Sequence, residues 1–157
     1  MEKSFQIVAL ELSLFSHLFT KNNEELEKIG IRRLQVNEKP GFPCRVSLAD
    51  AEIGETVLLL PYIHHETSSP YKASGPIFVR EKTQTSHPKI AEIPIMFNHR
   101  LLSLRAYDKS GMMLDANVIN GTELKENIME MFKNINIEYL QIHNARPGCF
   151  NCSVVRT

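Results

Sequence analysis

The chain has 157 residues, 43% apolar and 23% charged, which is the composition of a globular protein and excludes a disordered or collagen-like one. Eighteen basic residues balance eighteen acidic ones, so the sequence has no general electrostatic footprint for nucleic acid or an anionic membrane surface. At this length about two-thirds of the unfolded surface can be buried, so one domain over 1–157 is expected, with no disulfide or metal staple required.

The segment 4–10 (SFQIVAL) predicts a first strand, and 12–19 a short helix or loop that plugs the core. Glu11 interrupts the apolar residues there, and no basic stretch precedes a small-residue cleavage site, so no export signal is expected. The longest apolar candidate, Val57 to Leu60, is far too short to span a bilayer. Three cysteines without an export signal predict free thiols, a reducing compartment and a cytoplasmic location.

Asn22 and Glu25 fit a capping box, Leu26 and Ile29 have helical spacing, and Gly30 sits where a left-handed residue would end the helix. Residues 31–36 predict a strand, 39–43 (KPGFP) a turn, and 44–48 a strand. Residues 56–63 (TVLLLPYI) predict a buried strand with Pro61 near an edge. A long polar loop is expected over 64–75, then a strand over 77–80 and an irregular stretch over 83–94.

Segments 101–107 and 112–119 flank Asp108-Lys109-Ser110-Gly111, which is hairpin chemistry. Asn120 with Glu123 reads as a second capping box. Leu124, Ile128, Met131, Phe132 and Ile135 then place one apolar face on a helix over 120–134. Strands over 137–143 and 150–155 close the chain, and a strand, this helix and a further strand permit a right-handed parallel crossover near the C-terminus. The last of these, ending in Val154-Val155-Arg156-Thr157, is expected to be an edge through which a homodimer could pair.

Three loop-adjacent runs stand out: PCRVSL from Pro43, PYKASGPIFVRE from Pro70, and HNARPGC from His143. Together with Arg105-Ala106-Tyr107 and Gly111-Met112-Met113, they make the chain resemble the bacterial domain-of-unknown-function family 1203, most clearly from Gly41 to Arg156. The resemblance implies a small single-domain protein and brings neither catalytic residues nor a cofactor. The family's pattern does not require a cysteine at Cys152, so no family-wide role for a Cys149–Cys152 pair is implied.

Read on their own chemistry, these residues offer three sites. Cys44, His143, Cys149 and Cys152 could formally supply a Cys3His zinc set. Against it, there is one close ligand pair where a structural site usually has two, and strand geometry would turn Cys149 and Cys152 to opposite faces. The same C-x-x-C lacks the helix N-terminus that a thioredoxin-like motif needs, so the plain reading is of small apolar residues. Cys44 or Cys149 could be a nucleophile with His64, His65 or His143 as base.

Arg45, Arg80, Arg105 and Arg146 lie in or beside strands, where a half-buried guanidinium needs a carboxylate or an anionic ligand. Ser74, Gly75 and Gly148 offer backbone N–H groups. Glu52, Glu55, Glu81, Asp108 and Asp115 could instead pair the arginines internally.

The expected fold class is α+β: a mostly antiparallel twisted sheet packed by one main C-terminal helix and one short N-terminal helix. The expected function is a pocket, in an enzyme or a binding protein, for a small anionic molecule. Cys44, Arg45, Ser74, Gly75, Arg80, Arg105, Asn144 and Arg146 would line it, and His143 or Cys149 would carry any catalysis. The competing reading is a non-catalytic interaction or structural module braced by internal ion pairs. No metal, cofactor, nucleic acid or membrane partner is expected.

Overall fold

Phe5 and Ile7 alternate with Gln6 and Val8, and β1 (Phe5–Val8) turns the first pair into the core. The protein is described over residues 3–157 in a computed structural model. After β1 the chain makes two 3-10 turns, Leu12–Leu14 and Ser16–Leu18, whose Phe15 and Leu18 are the buried plug expected there.

The short helix α1 (Asn23–Lys28) begins as its sequence prescribes. The Asn22 side chain accepts from Glu25 N at 2.9 Å, Glu25 reaches back to the Asn22 backbone, and Gly30 takes φ +80° beyond the end. Replacing Asn22 with alanine should cost about 1 kcal/mol, read as a lower urea midpoint at unchanged slope.

Strands β2 (Arg32–Gln35), β3 (Thr56–His65) and β4 (Ala73–Arg80) form a three-stranded antiparallel sheet in that order. Here two expectations are corrected. Residues 44–48 form a turn and not a strand: Leu48 N donates to Cys44 O at 2.9 Å, and Leu48 has φ +51°. Their apolar alternation has another cause, since Cys44 and Val46 enter one core and Leu48 the other. The polar segment 64–75 is a loop only in its middle, because His64 and His65 extend β3 and Ala73 to Gly75 open β4. Pro61 lies opposite Pro76, beyond Leu59 where β2 stops pairing, so the missing N–H breaks no ladder to β2.

The second sheet has five strands, ordered β1–β8–β7–β5–β6 and antiparallel at every pairing. Its remaining strands are β5 (Leu101–Tyr107), β6 (Met113–Asn120), β7 (Tyr139–Asn144) and β8 (Phe150–Arg156). In the β5–β6 hairpin the Asp108 carboxylate accepts from Ser110 N at 2.8 Å and Met112 N at 3.0 Å, while Gly111 takes φ +76°.

The main helix is shorter than expected. A 3-10 turn at Gly121–Glu123 precedes α2 (Leu124–Met131), and the Asn120 side chain caps nothing. Tertiary contact sets this start: Gly121 N donates to Arg100 O at 2.8 Å, and a Cβ at Gly121 would fall 1.6 Å from Phe97 O. The crossover through α2 joins β6 and β7, which run parallel but are separated by β5. β8 is interior, between β1 and β7, so the expected pairing of its edge in a dimer is not available.

The class is α+β, with two antiparallel sheets and one main helix. Leu124, Ile128 and Met131 of α2 pack on Leu102, Leu104, Ile142, Cys152 and Val154 of the large sheet. A second core, with Leu58, Leu60, Ile77 and Val79, belongs to the small sheet. No helix is long and apolar enough to cross a membrane among the described residues.

Candidate functional site

Where the two cores meet, the apolar packing gives way to buried polar side chains: Arg45, Gln141, His143, Asn144 and Asn151. A buried polar group must find partners or cost several kcal/mol, so each partner in this seam is informative.

A β-bulge builds the seam. Ile142 pairs with Cys152 and His143 with Phe150, which leaves Asn151 as the extra residue. Its buried side chain donates from Nδ2 to Asn144 Oδ1 at 2.9 Å, and Asn151 Oδ1 has no partner. The 144–149 turn is closed by Asn144 N to Cys149 O and by Gly148 N to Asn144 O, both 2.9 Å. Gly148 at φ +80° supplies the backbone conformation this closure requires. Ala145 N donates to Leu101 O at 3.0 Å and pins the turn against β5.

His143 supports the turn from behind. It is fully buried, its Nδ1 lies 2.9 Å from Gly148 O, and its Nε2 meets the Gln141 side-chain amide at 3.0 Å. Burial pushes its pKa down to about 3 against the weaker pull of the Gly148 carbonyl, so the ring is neutral at pH 7. Nδ1 faces the Gly148 carbonyl and Nε2 faces Gln141 Oε1, two acceptors, so the one N–H of the neutral ring can serve either oxygen. The half-buried His64 stacks on Phe150 at 5.3 Å and meets the His143 ring edge-on at 4.8 Å; burial lowers its pKa as well. Along the same strands His65 and Tyr139 hydrogen-bond at 2.5 Å, with Tyr107 stacked on Tyr139.

Arg45 crosses from the 44–48 turn to β8. Its guanidinium donates through Nε to Phe150 O at 2.7 Å, through Nη1 to Pro43 O, and through Nη2 to Cys149 Sγ at 3.1 Å. The side chain is fully buried and has no carboxylate partner among the described residues.

Beside it opens a cavity of about 950 Å³, a volume typical of small-molecule sites. Asn144, Arg146 and Cys149 line one side, Leu59, Pro76 and Phe78 another, and His99 and Arg100 a third. No aspartate or glutamate is among the lining residues. Arg100 is held by Asp50, which lies outside the lining and also meets His99 Nε2 at 3.3 Å. Arg146 is exposed at the rim, with no acidic partner among the described residues.

The sequence-predicted residues thus divide. Arg45, Asn144, Arg146 and Cys149 converge on the cavity, whereas His143 is fully buried and outside its lining. Arg80 is an internal strut, bonded to Glu55 at 2.7 and 2.6 Å, which raises the Arg80 pKa and lowers that of Glu55. Arg105 donates to Ser103 Oγ at 3.2 Å outside the cavity. Ser74 is exposed and Gly75 lies on β4, both outside the lining, although Pro76 and Phe78 further along β4 belong to it.

Cys44 sits in the small-sheet core and Cys152 in the large-sheet core, where burial pushes the Cys152 thiol up. The Cys3His set is therefore dispersed. Among the described residues no group of three or more His, Cys, Asp or Glu is placed to hold a metal ion. Asn151, Gln141, His99 and Arg100 were not legible as site residues, since no spacing in the sequence joins them to the turns they meet.

Residues 41–156 match the family described as protein of unknown function, DUF1203. No curated protein and no solved structure matches the chain.

Proposed function

We propose that this chain, which belongs to the DUF1203 family, binds a small organic anion in the cavity beside the 144–149 turn. One observation carries the reading: three arginines and no carboxylate line a cavity of about 950 Å³. Arg100 is already neutralised by Asp50 and Arg45 is engaged below the surface, so Arg146 is the lining arginine without a partner among the described residues and the one that meets the ligand. Its planar fork suits a carboxylate or phosphate, and Asn144 and Thr122 add polar contacts beside the apolar wall of Leu59 and Phe78. Three free thiols agree with a reducing compartment, the bacterial cytoplasm in this reading.

The test is thermal unfolding at pH 7 and constant ionic strength with phosphate, succinate, citrate and a neutral control. A ligand at a hundred times its Kd stabilises by about 2.7 kcal/mol, so a binding anion raises the melting temperature by roughly 5–10 °C. Arg146→Ala should unfold at the native temperature without ligand, since Arg146 braces nothing, and should lose the shift. Equal shifts in both proteins, or none with any of the anions, would sink the proposal. Two of the arginines, Arg80 and Arg100, do match the internal-strut reading, which then describes the walls and not the cavity.

A further inference from the structure

We propose that Cys149 is a nucleophile that accepts the acyl group of an organic anion bound in this cavity. For its substrate the inference rests on the anion-binding reading; for its nucleophile it stands on separate geometry.

That geometry begins with Arg45. A guanidinium removed from water needs a compensating negative charge, and Arg45 has two carbonyls and one sulfur instead. Carbonyl dipoles supply no charge. Among the described residues, Cys149 Sγ at 3.1 Å is the one hydrogen-bond partner of Arg45 that can become an anion.

A second donor aims at the same atom. Asn144 Nδ2 lies 3.3 Å from Cys149 Sγ, and Asn144 Oδ1 accepts from Asn151 Nδ2 at 2.9 Å. The bulge at Asn151 thus orients Asn144, and Asn144 with Arg45 cradles the sulfur. A neutral thiol is a weak acceptor, whereas a thiolate is the form that two such donors serve.

The sulfur is also reachable. Cys149 is half-buried and lines the cavity, while Cys44 and Cys152 are fully enclosed in the two cores. A site for peroxide or water would need no cavity of about 950 Å³ with an apolar wall and a free arginine at its rim. That space fits an acyl compound bearing a carboxylate or phosphate, its anionic end on Arg146 and its carbonyl over Cys149.

The chemistry balances with water alone. The Sγ lone pair bonds to the carbonyl carbon, and the bond to the leaving group breaks with its electron pair on that group. Water then adds to the acyl carbon and the sulfur departs with its own pair, again an anion facing Arg45. Of the two protons released from water, one neutralises the leaving group and one passes to solvent, leaving a carboxylate product.

The test compares iodoacetamide, iodoacetate and mono-4-nitrophenyl succinate at pH 7, with the modified cysteine located by peptide mapping. Native Cys149 should alkylate about ten-fold faster than the thiols of the urea-unfolded chain, because Arg45 and Asn144 hold its sulfur at the cavity wall. The ester should release a burst of one nitrophenolate per chain and leave an acyl group on Cys149. Asn144→Ala, which spares the Arg45 contacts with Phe150 and Pro43, should slow alkylation roughly ten-fold. Labelling of native Cys149 no faster than in the unfolded chain overturns the nucleophile. Fast labelling with no acyl-Cys149 overturns the acyl-transfer class. Arg146→Ala should slow iodoacetate and not iodoacetamide; an equal effect on both overturns the anionic substrate while the nucleophile stands.

Discussion

Replacing Arg45 with methionine is expected to lower the unfolding free energy by about 3 kcal/mol. Methionine keeps most of the length and apolar volume of the side chain, so the loss is polar and not a cavity. Phe150 O and Pro43 O each lose their donor in a fully buried position, and the bond that ties the 44–48 turn to β8 disappears. For a domain of this size the melting temperature should fall by roughly 6–12 °C. Arg80→Met is the comparison. Arg80 and Glu55 retain about a fifth of their side-chain exposure, so either can be rehydrated locally and the cost should be about 1 kcal/mol. Urea unfolding of both variants checks the contrast. Similar losses for Arg45 and Arg80 would mean that the seam between the sheets is no more demanding than a partly exposed ion pair.

Local signals in the sequence were read well where local physics decides the outcome. The Asn22 capping box, the Asp108–Gly111 hairpin turn and the apolar face of Leu124, Ile128 and Met131 depend on neighbours within a few residues, and all three are in place. The failures share a tertiary cause. Residues 44–48 alternate as a strand would, but the turn feeds two different cores and alternation cannot tell these apart. The start of α2 is set by Gly121 against Phe97 and Arg100, a contact across more than twenty residues. The C-terminal strand is interior because β1, from the other end of the chain, covers it.

The candidate site follows the same division. Residue types pointed to Arg45, Asn144, Arg146 and Cys149, since an arginine in or beside a strand needs an anionic partner and a cysteine beside one is a candidate nucleophile. Nothing in the sequence separated Arg146, which has no acidic partner among the described residues, from Arg80, which is paired: that distinction is made by Glu55 in one place and by a cavity lined by no described carboxylate in the other. Nor could spacing reveal that Asn151, inside the C-x-x-C, is the bulged residue that orients Asn144. Cys149 lies in the turn before β8 and lines the cavity, while Cys152 on β8 faces the helix-packed core.

The stability of the protein should fall steeply as pH drops from 6.5 toward 3, and His143 should account for much of the fall. In the unfolded chain its imidazole binds a proton below its ordinary value of 6.5; in the folded protein burial holds that value down to about 3. Unfolding in this window therefore takes up a proton, so acid favours the unfolded state. The stability tied to the neutral ring is fully present above 6.5 and is lost as pH falls toward 3. Between pH 7 and pH 4 the loss from this one residue comes to about 3 kcal/mol. Glu55, held below the usual carboxylate range by Arg80, and His64, lowered by burial, act in the same direction but are common to the native protein and a His143 variant. His143→Asn sets an amide where Nδ1 stood, beside Gly148 O, and removes the titration, so it should start less stable at pH 7 and lose about 3 kcal/mol less than the native protein on the way to pH 4. Urea unfolding of both proteins at the two pH values reads this directly. Parallel losses would show that His143 is protonated as readily folded as unfolded, and the neutral ring that supports the 144–149 turn would have to be abandoned.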